Sequence, residues 1–284
     1  HSSGIGDTNE ELNPQNYFAA EIVRAAMIIR INAFLRGRSG VRPALVRVIQ
    51  AMLNAGVIPL VPTKGSVGSS GDLCPLAHLF VTLLGECGRA QFYVIGREPS
   101  VAGNTPWMVG GRVTTLLPAT EFWTHLRSAG LSQEEIDGIA EVTQNANRII
   151  NGQSHEISNE VVEKEGLALT NGATFSAAML ALAVADAEVL ANTADVAAAL
   201  TLEAVCGRLR CLDARVHDAR GMDGQIDSAD NIRKAVANTK LCEWASDAQD
   251  VYSLRCAPQV HGAARDAIAY CKMVAESEVN AATD

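Results

Sequence analysis

Between Gly65 and His78 the chain reads Gly-Ser-Val-Gly-Ser-Ser-Gly-Asp-Leu-Cys-Pro-Leu-Ala-His, and three neighbours within it, Ser69, Ser70 and Gly71, can react with one another. If the backbone bends sharply, the amide nitrogen of Gly71 can attack the carbonyl carbon of Ser69. Glycine has no Cβ to obstruct such a bend, and Gly65 and Gly68 open the same loop. Loss of water, including the Ser70 hydroxyl, then leaves a five-membered imidazolone ring with an exocyclic methylidene. Such a ring is a strong electrophile, which no ordinary side chain provides. Other uses of a glycine-rich loop fit less well. A phosphate cradle needs Gly-x-x-x-x-Gly-Lys-Ser/Thr or Gly-x-Gly-x-x-Gly after a strand; neither spacing occurs, and Asp72 would repel a phosphate. A hydrolase nucleophile elbow needs Gly-x-Ser-x-Gly, whereas Asp72 stands two residues after Ser70.

The stretch resembles the signature loop of the aromatic amino acid ammonia-lyases and aminomutases, whose prosthetic group is 4-methylideneimidazol-5-one. That family usually carries Ala-Ser-Gly. Ser69 in first place contributes only its carbonyl carbon to the ring, so Ser70 and Gly71 carry the chemical requirement. Three further stretches are similar to the same family. His1-Ser-Ser-Gly-Ile-Gly resembles a segment whose histidine lines the substrate pocket. Lys164-Glu-Gly-Leu-Ala-Leu-Thr-Asn171-Gly resembles one whose asparagine contacts the prosthetic ring. Gln249-Asp-Val-Tyr252-Ser-Leu-Arg255-Cys-Ala-Pro-Gln259 resembles one carrying a glutamine, a tyrosine and an arginine of the active site. Asp213 to Gly221 and Glu278 to Asp284 add agreement outside the chemistry.

The resemblance implies a carbon–nitrogen lyase that removes ammonia from an α-amino acid and leaves an α,β-unsaturated acid. Arg255 then suits the substrate carboxylate through its planar, always-charged fork. Tyr252 stabilises or transfers a proton near the ring, and Asn171 and Gln249 hold the ring carbonyl as it gains negative charge. His1 is the histidine variant of its pocket position, where phenylalanine- and tyrosine-specific relatives often carry leucine. The expectation is therefore a member that converts L-histidine to urocanate and ammonia. The runner-up is a phenylalanine or tyrosine ammonia-lyase or aminomutase, since Val251 replaces the histidine enzymes' usual proline; a noncatalytic helical scaffold is the reading from another class. The family norm implies a homotetramer with active sites shared between subunits.

Helices must position these residues. Pro14 leads an apolar stripe through Phe18, Ile22, Ala25, Ile29 and Ala33 that ends at Gly37, and Val41 to Leu53 repeats the pattern up to Gly56. The reactive loop occupies 56–75, and Pro75 starts a short apolar helix to Leu84, with Asp72 its expected cap. Residues 88–130 lack periodicity and predict an irregular or weakly stranded lid. Ser132 and Glu135 form a capping box for a polar helix to about Ile150. No Gly or Pro interrupts Ala173 to Cys206, which predicts one long, alanine-rich helix at the centre of a bundle. Asp227 or Ser228 can cap a helix to Ala237, and Val260 to Asp284 suggests a last long one. The fold expected is an all-α bundle of long, largely antiparallel helices with an active-site loop. It forms one helical domain portion over 1–284, with 88–160 as an insertion.

Composition narrows the partners. The 284 residues are 48% hydrophobic and 19% charged, a globular balance, and the net charge of −9 disfavours nucleic acid and anionic membranes. Asp186, Glu188, Asp195 and Glu203 argue against a membrane span in the most apolar region. Seven scattered cysteines contain no Cys-x-x-Cys, and His125, His155, His217 and His261 lack ligand spacing; reduced thiols in a cytoplasmic protein without a metal are expected. His78 reads as a packed core histidine. The chain opens at His1 and stops at Asp284 inside a helical pattern, as an internal portion of a longer polypeptide does. The family's upstream base tyrosine and downstream glutamate fall outside it.

Overall fold

The second helix follows its predicted stripe, whereas the first buries Ile29 and Ala33 of its stripe but leaves Ile22 and Ala25 half-buried. α1 (Ala20–Leu35) buries Val23, Ala26, Met27, Ile29, Ala33 and Phe34, and α2 (Pro43–Ala55) buries Leu45, Val48, Ile49 and Met52. Proline sits at the start of α2, where its missing N–H costs nothing, and Gly56 ends it in the left-handed conformation at φ +69°. Phe18, expected inside the first helix, lies before it and stacks its ring 5.0 Å from that of Phe175. The structure is a computed structural model that describes residues 16–68, 70–84, 91–95, 107–109, 112–118, 122–128, 132, 165–243 and 248–283.

Among the described residues helices dominate, as the sequence predicts, with one small sheet. β1 (Val57–Pro59), β2 (Gln91–Ile95), β3 (Trp107–Val109) and β4 (Arg112–Pro118) form an antiparallel sheet in the order β1-β2-β4-β3. The weakly stranded reading of 88–130 thus holds for β2, β3 and β4. Placing β1 inside a loop was wrong: three consecutive apolar residues are too few to show a strand's alternation. α3 (Leu73–Val81) continues as a 3-10 turn, Thr82–Leu84. α4 (Phe122–Ser128) follows the sheet. Glu135 of the expected capping box, and the helix expected after it, lie outside the described residues.

The later helices are α5 (Glu165–Thr170), α6 (Thr174–Ala204), α7 (Ala214–Arg220), α8 (Asp223–Ala235), α9 (Tyr252–Arg255) and α10 (Ala257–Val279). α6 is the uninterrupted long helix of the prediction, about 46 Å at 1.5 Å per residue. Asp227 and Ser228 fall inside α8 rather than capping it, because the chain enters that helix at Met222. α10 stops at Val279, short of Asp284.

The chain divides into two units, His1–Met179 with Glu278–Asp284, and Leu180–Ser277. The core of the first gathers α1, α2, β1 and α3 with Ala168 and Phe175. The second has a smaller core of Ala199, Leu202, Leu209, Leu212, Ile232, Val236 and Ala257. Its polar centre is Asp195, 1% exposed, which accepts from Ser228 Oγ (2.6 Å), Asn231 Nδ2 (3.0 Å) and Arg265 Nη2 (2.5 Å) and pairs with His261 Nδ1 (2.9 Å). Burial alone would raise the Asp195 pKa, but these four partners outweigh it and hold the carboxyl below its ordinary value. α8 and α10 touch backbone to backbone: a Cβ at Gly262 would lie 2.5 Å from the Gln225 nitrogen.

Candidate active site

In the first unit the reactive loop is folded onto the end of α5. The Gly71 amide donates to the Gly68 carbonyl at 3.3 Å, which closes a tight turn just ahead of α3. Gly71 adopts φ +97° and pairs with Gly172 in an isolated parallel bridge, and the Asp72 amide donates to the Gly172 carbonyl at 2.8 Å. A Cβ on Gly71 would stand 2.8 Å from the Gly172 nitrogen and 2.9 Å from its oxygen, so no larger residue fits. Ser70 is exposed at this turn. Ser69 lies outside the described residues, as does His1.

Asp72 is 2% exposed and makes no cap bond to its own helix, contrary to expectation. Its Oδ2 accepts from the Ser176 amide at 2.8 Å and its Oδ1 from the hydroxyls of Ser66 (2.8 Å) and Ser176 (3.2 Å). The carboxylate therefore caps the first turn of α6 and clamps both ends of the loop to it, a favourable place for negative charge. Asn171 follows α5 directly, one residue before Gly172, so the structure brings it beside the loop. Arg42 holds the start of that helix: its amide (2.8 Å) and Nε (3.2 Å) reach Glu165 Oε1, and its Nη2 reaches Oε2 at 3.2 Å.

His78 is the packed histidine predicted. It is buried, with Nδ1 2.9 Å from the Cys74 carbonyl, and burial lowers its pKa.

In the second unit Gln249, Tyr252 and Arg255 come together, and Gln249, expected with Asn171 at the ring carbonyl, bonds to Arg255. Arg255 Nη1 donates to Gln249 Oε1, and its guanidinium lies over the Tyr252 ring, 4.3 Å from the centroid, a cation–π contact. Tyr252 is 71% exposed. Beside them opens a cavity of about 470 Å³, lined among others by Arg208, Cys211, Gln249, Arg255 and Gln259. Burial, then the charge of Asp250, pushes the Cys211 thiol up to about 11, so it stays a neutral wall of this space. The sequence reading passed over Asp250, whose adjacency to Gln249 was its only signal, and Arg208, which carried none.

The described loop residues fit the ring they would form: Gly71 is bent and sterically confined to glycine, Ser70 is exposed, and Asn171 precedes the Gly172 that pairs with Gly71. Among the described residues no group of three or more His, Cys, Asp or Glu is placed to hold a metal ion.

The profile of the family described as aromatic amino acid lyase matches residues 1–284. The histidine ammonia-lyase of Geobacillus kaustophilus (strain HTA426) is 39% identical over 269 residues, 94% of this chain and 44% of that enzyme. The crystal structure of histidine ammonia-lyase from Trypanosoma cruzi superposes with a TM-score of 0.65 at 29% identity, covering 95% of this chain and 41% of that one. Phenylalanine ammonia-lyase from Rhodosporidium toruloides gives a TM-score of 0.68 at 26% identity, covering 98% and 36%. The chain thus spans less than half the length of the relatives it matches.

Proposed function

Since the chain belongs to the aromatic amino acid lyase family, we propose that its protein is a histidine ammonia-lyase, which eliminates ammonia from L-histidine and releases urocanate. The observation that carries this reading is the turn at Gly68–Gly71, held against Gly172 where only glycine fits. Closure of Ser69, Ser70 and Gly71 into 4-methylideneimidazol-5-one supplies an electrophilic carbon for the substrate amine. Arg255 offers a planar fork to the substrate carboxylate, steadied by Gln249 on one side and the Tyr252 ring beneath. Tyr252 is exposed and brings a hydroxyl for proton exchange at the substrate. The Asn171 amide donates toward ring oxygen where charge gathers.

The choice of histidine rests on His1 and on the 39% identity to a histidine ammonia-lyase. An imidazole can exchange hydrogen bonds with an imidazole through either nitrogen. Assembly as a homotetramer is part of the proposal, supported by Val189, Leu190, Val196 and Leu200 exposed along α6. So is a cytoplasmic location, since none of the described cysteines forms a disulfide.

The test uses the full-length protein. Intact mass should be lower than the sequence mass by two waters, about 36 Da, a covalent backbone change. Ser70→Ala should abolish the loss and the activity together. L-Histidine should raise the ultraviolet absorbance of urocanate faster than L-tyrosine or L-phenylalanine yields its own product, and His1→Leu should narrow that preference. An unmodified mass supports a noncatalytic scaffold; faster turnover of L-tyrosine or L-phenylalanine supports the phenylalanine or tyrosine enzymes.

A further inference from the structure

Gln249 and Arg255 are exposed or half-exposed side chains on a short turn, and a floppy pair would make a poor carboxylate fork. What holds them is the residue between Gln249 and the turn. Asp250 Oδ2 accepts from the Arg208 amide at 2.6 Å, and Oδ1 accepts from Arg208 Nη1 at 2.8 Å. This side chain is 9% exposed, while that of Arg208 is 33% exposed. The neighbouring backbone is anchored as well: the Leu209 amide donates to the Glu243 carbonyl at 2.8 Å, and the Glu243 amide to the Gly207 carbonyl at 3.1 Å. Residues 243 and 250 are thus both tied to 207–209, one by backbone bonds and the other by a carboxylate. A Cβ at Gly207 would lie 2.7 Å from Leu202 Cδ2 and 3.3 Å from Asp250 Oδ2, so the clamp closes on a site with no spare room.

We propose that Asp250 is a positioning residue: paired with Arg208, it fixes Gln249 so that Gln249 holds the Arg255 guanidinium ready for a substrate carboxylate. The chain runs from Arg208 to Asp250 by an ion pair, along the backbone to Gln249, by a hydrogen bond to Arg255 and by a cation–π contact to Tyr252, all within the second unit. Asp250 touches no reacting atom. Its effect reaches the substrate only through Arg255, because the backbone from 249 to 250 is what it immobilises. The inference rests on the carboxylate role assigned to Arg255 above.

The experiment compares full-length wild type with Asp250→Asn, which keeps the shape but removes the charge. Two ligands are titrated at equilibrium, urocanate and its neutral carboxamide. A misplaced fork should weaken urocanate about tenfold, in line with the cost of small misplacements, and leave the carboxamide unchanged. With L-histidine, KM should rise about tenfold while kcat stays within about twofold, the pattern of lost ground-state binding. In an Arg255→Lys background, Asp250→Asn should add almost nothing, since coupled residues are not additive. Equal weakening of both ligands, or full additivity with Arg255→Lys, overturns the proposal. If Asp250→Asn does not fold, Arg208→Gln decides, since it spares the backbone bond and should weaken urocanate about threefold and the carboxamide not at all. If wild type turns over no aromatic amino acid yet binds urocanate better than the carboxamide, the lyase reading fails and the binding comparison still judges Asp250. If wild type does not prefer the carboxylate, the role of Arg255 fails and this inference with it.

Discussion

Gly71→Ala, set beside Gly68→Ala, separates the close approach at the reactive turn from its backbone conformation. Both glycines have positive φ, +97° and +76°. An alanine at either pays the strain of a left-handed conformation, about 1–2 kcal/mol. Only at Gly71 does the new methyl meet anything: the Gly172 nitrogen at 2.8 Å, its oxygen at 2.9 Å and its carbonyl carbon at 3.0 Å, against empty space at Gly68. Those are backbone atoms, held by the Asp72 amide and unable to rotate aside as a side chain would. Forced overpacking of this kind costs about 1–3 kcal/mol. Gly71→Ala should therefore be about 2 kcal/mol less stable than Gly68→Ala, which corresponds to a thermal midpoint roughly 4–8 °C lower. Thermal unfolding followed by circular dichroism reads that difference, and intact mass reads the turn. Gly68→Ala should keep the loss of two waters and Gly71→Ala should show none. Equal midpoints, with both variants cyclised, would refute the contact between Gly71 and Gly172 as the reason for glycine.

Three further outcomes follow from the described geometry. Arg255→Lys keeps the charge but loses the two-pronged geometry and the flat face over Tyr252, so steady-state kcat/KM should fall about ten- to thousandfold; an unchanged value would make Arg255 a structural ion-pair residue. His217 is 1% exposed, with Nε2 3.0 Å from the Cys211 carbonyl and Nδ1 2.8 Å from Gln225 Nε2, whose amide is oriented by Arg220. Nδ1 thus accepts and the ring is neutral; burial, partly offset by the Cys211 carbonyl, sets its pKa below the ordinary value of about 6.5. The unfolded chain then binds the extra proton first, so this contribution is complete above about pH 6.5 and is lost as pH falls below it. Urea unfolding from pH 8 to pH 5 should show the decline, and His217→Gln should flatten it. Gly262→Ala would press a methyl into Gln225 Cα and N, each 2.5 Å away, where helices α8 and α10 cross. It should cost about 3 kcal/mol, read as a lower denaturant midpoint; a shift under about 1 kcal/mol would contradict the backbone contact.

Local chemistry was legible in the chain from the start. The closure proposed for Ser69-Ser70-Gly71 could be read there because the atoms it would join are neighbours in the backbone. Gln249, Tyr252 and Arg255 were singled out in one short stretch, and the contact between Gln249 and Arg255 spans only six positions of it. The long helix over Thr174–Ala204 was also visible, because alanine propensity and the absence of glycine or proline act residue by residue. Asp72 shows where such reading ends. As a residue before a helix it looks like that helix's cap, yet its carboxylate caps α6, 104 positions along the chain, because Ser176 offers an unsatisfied amide there. Asp250 and Arg208 meet across 42 positions, and Gly71 meets Gly172 across about a hundred; no spacing rule reports either pairing. β1 likewise became a strand only because β2 supplied hydrogen-bond partners for it. Sequence determined which residues can react and which segments coil. Tertiary structure decided which distant groups satisfy buried charges and amides, because an unpaired polar group away from water is too costly to keep.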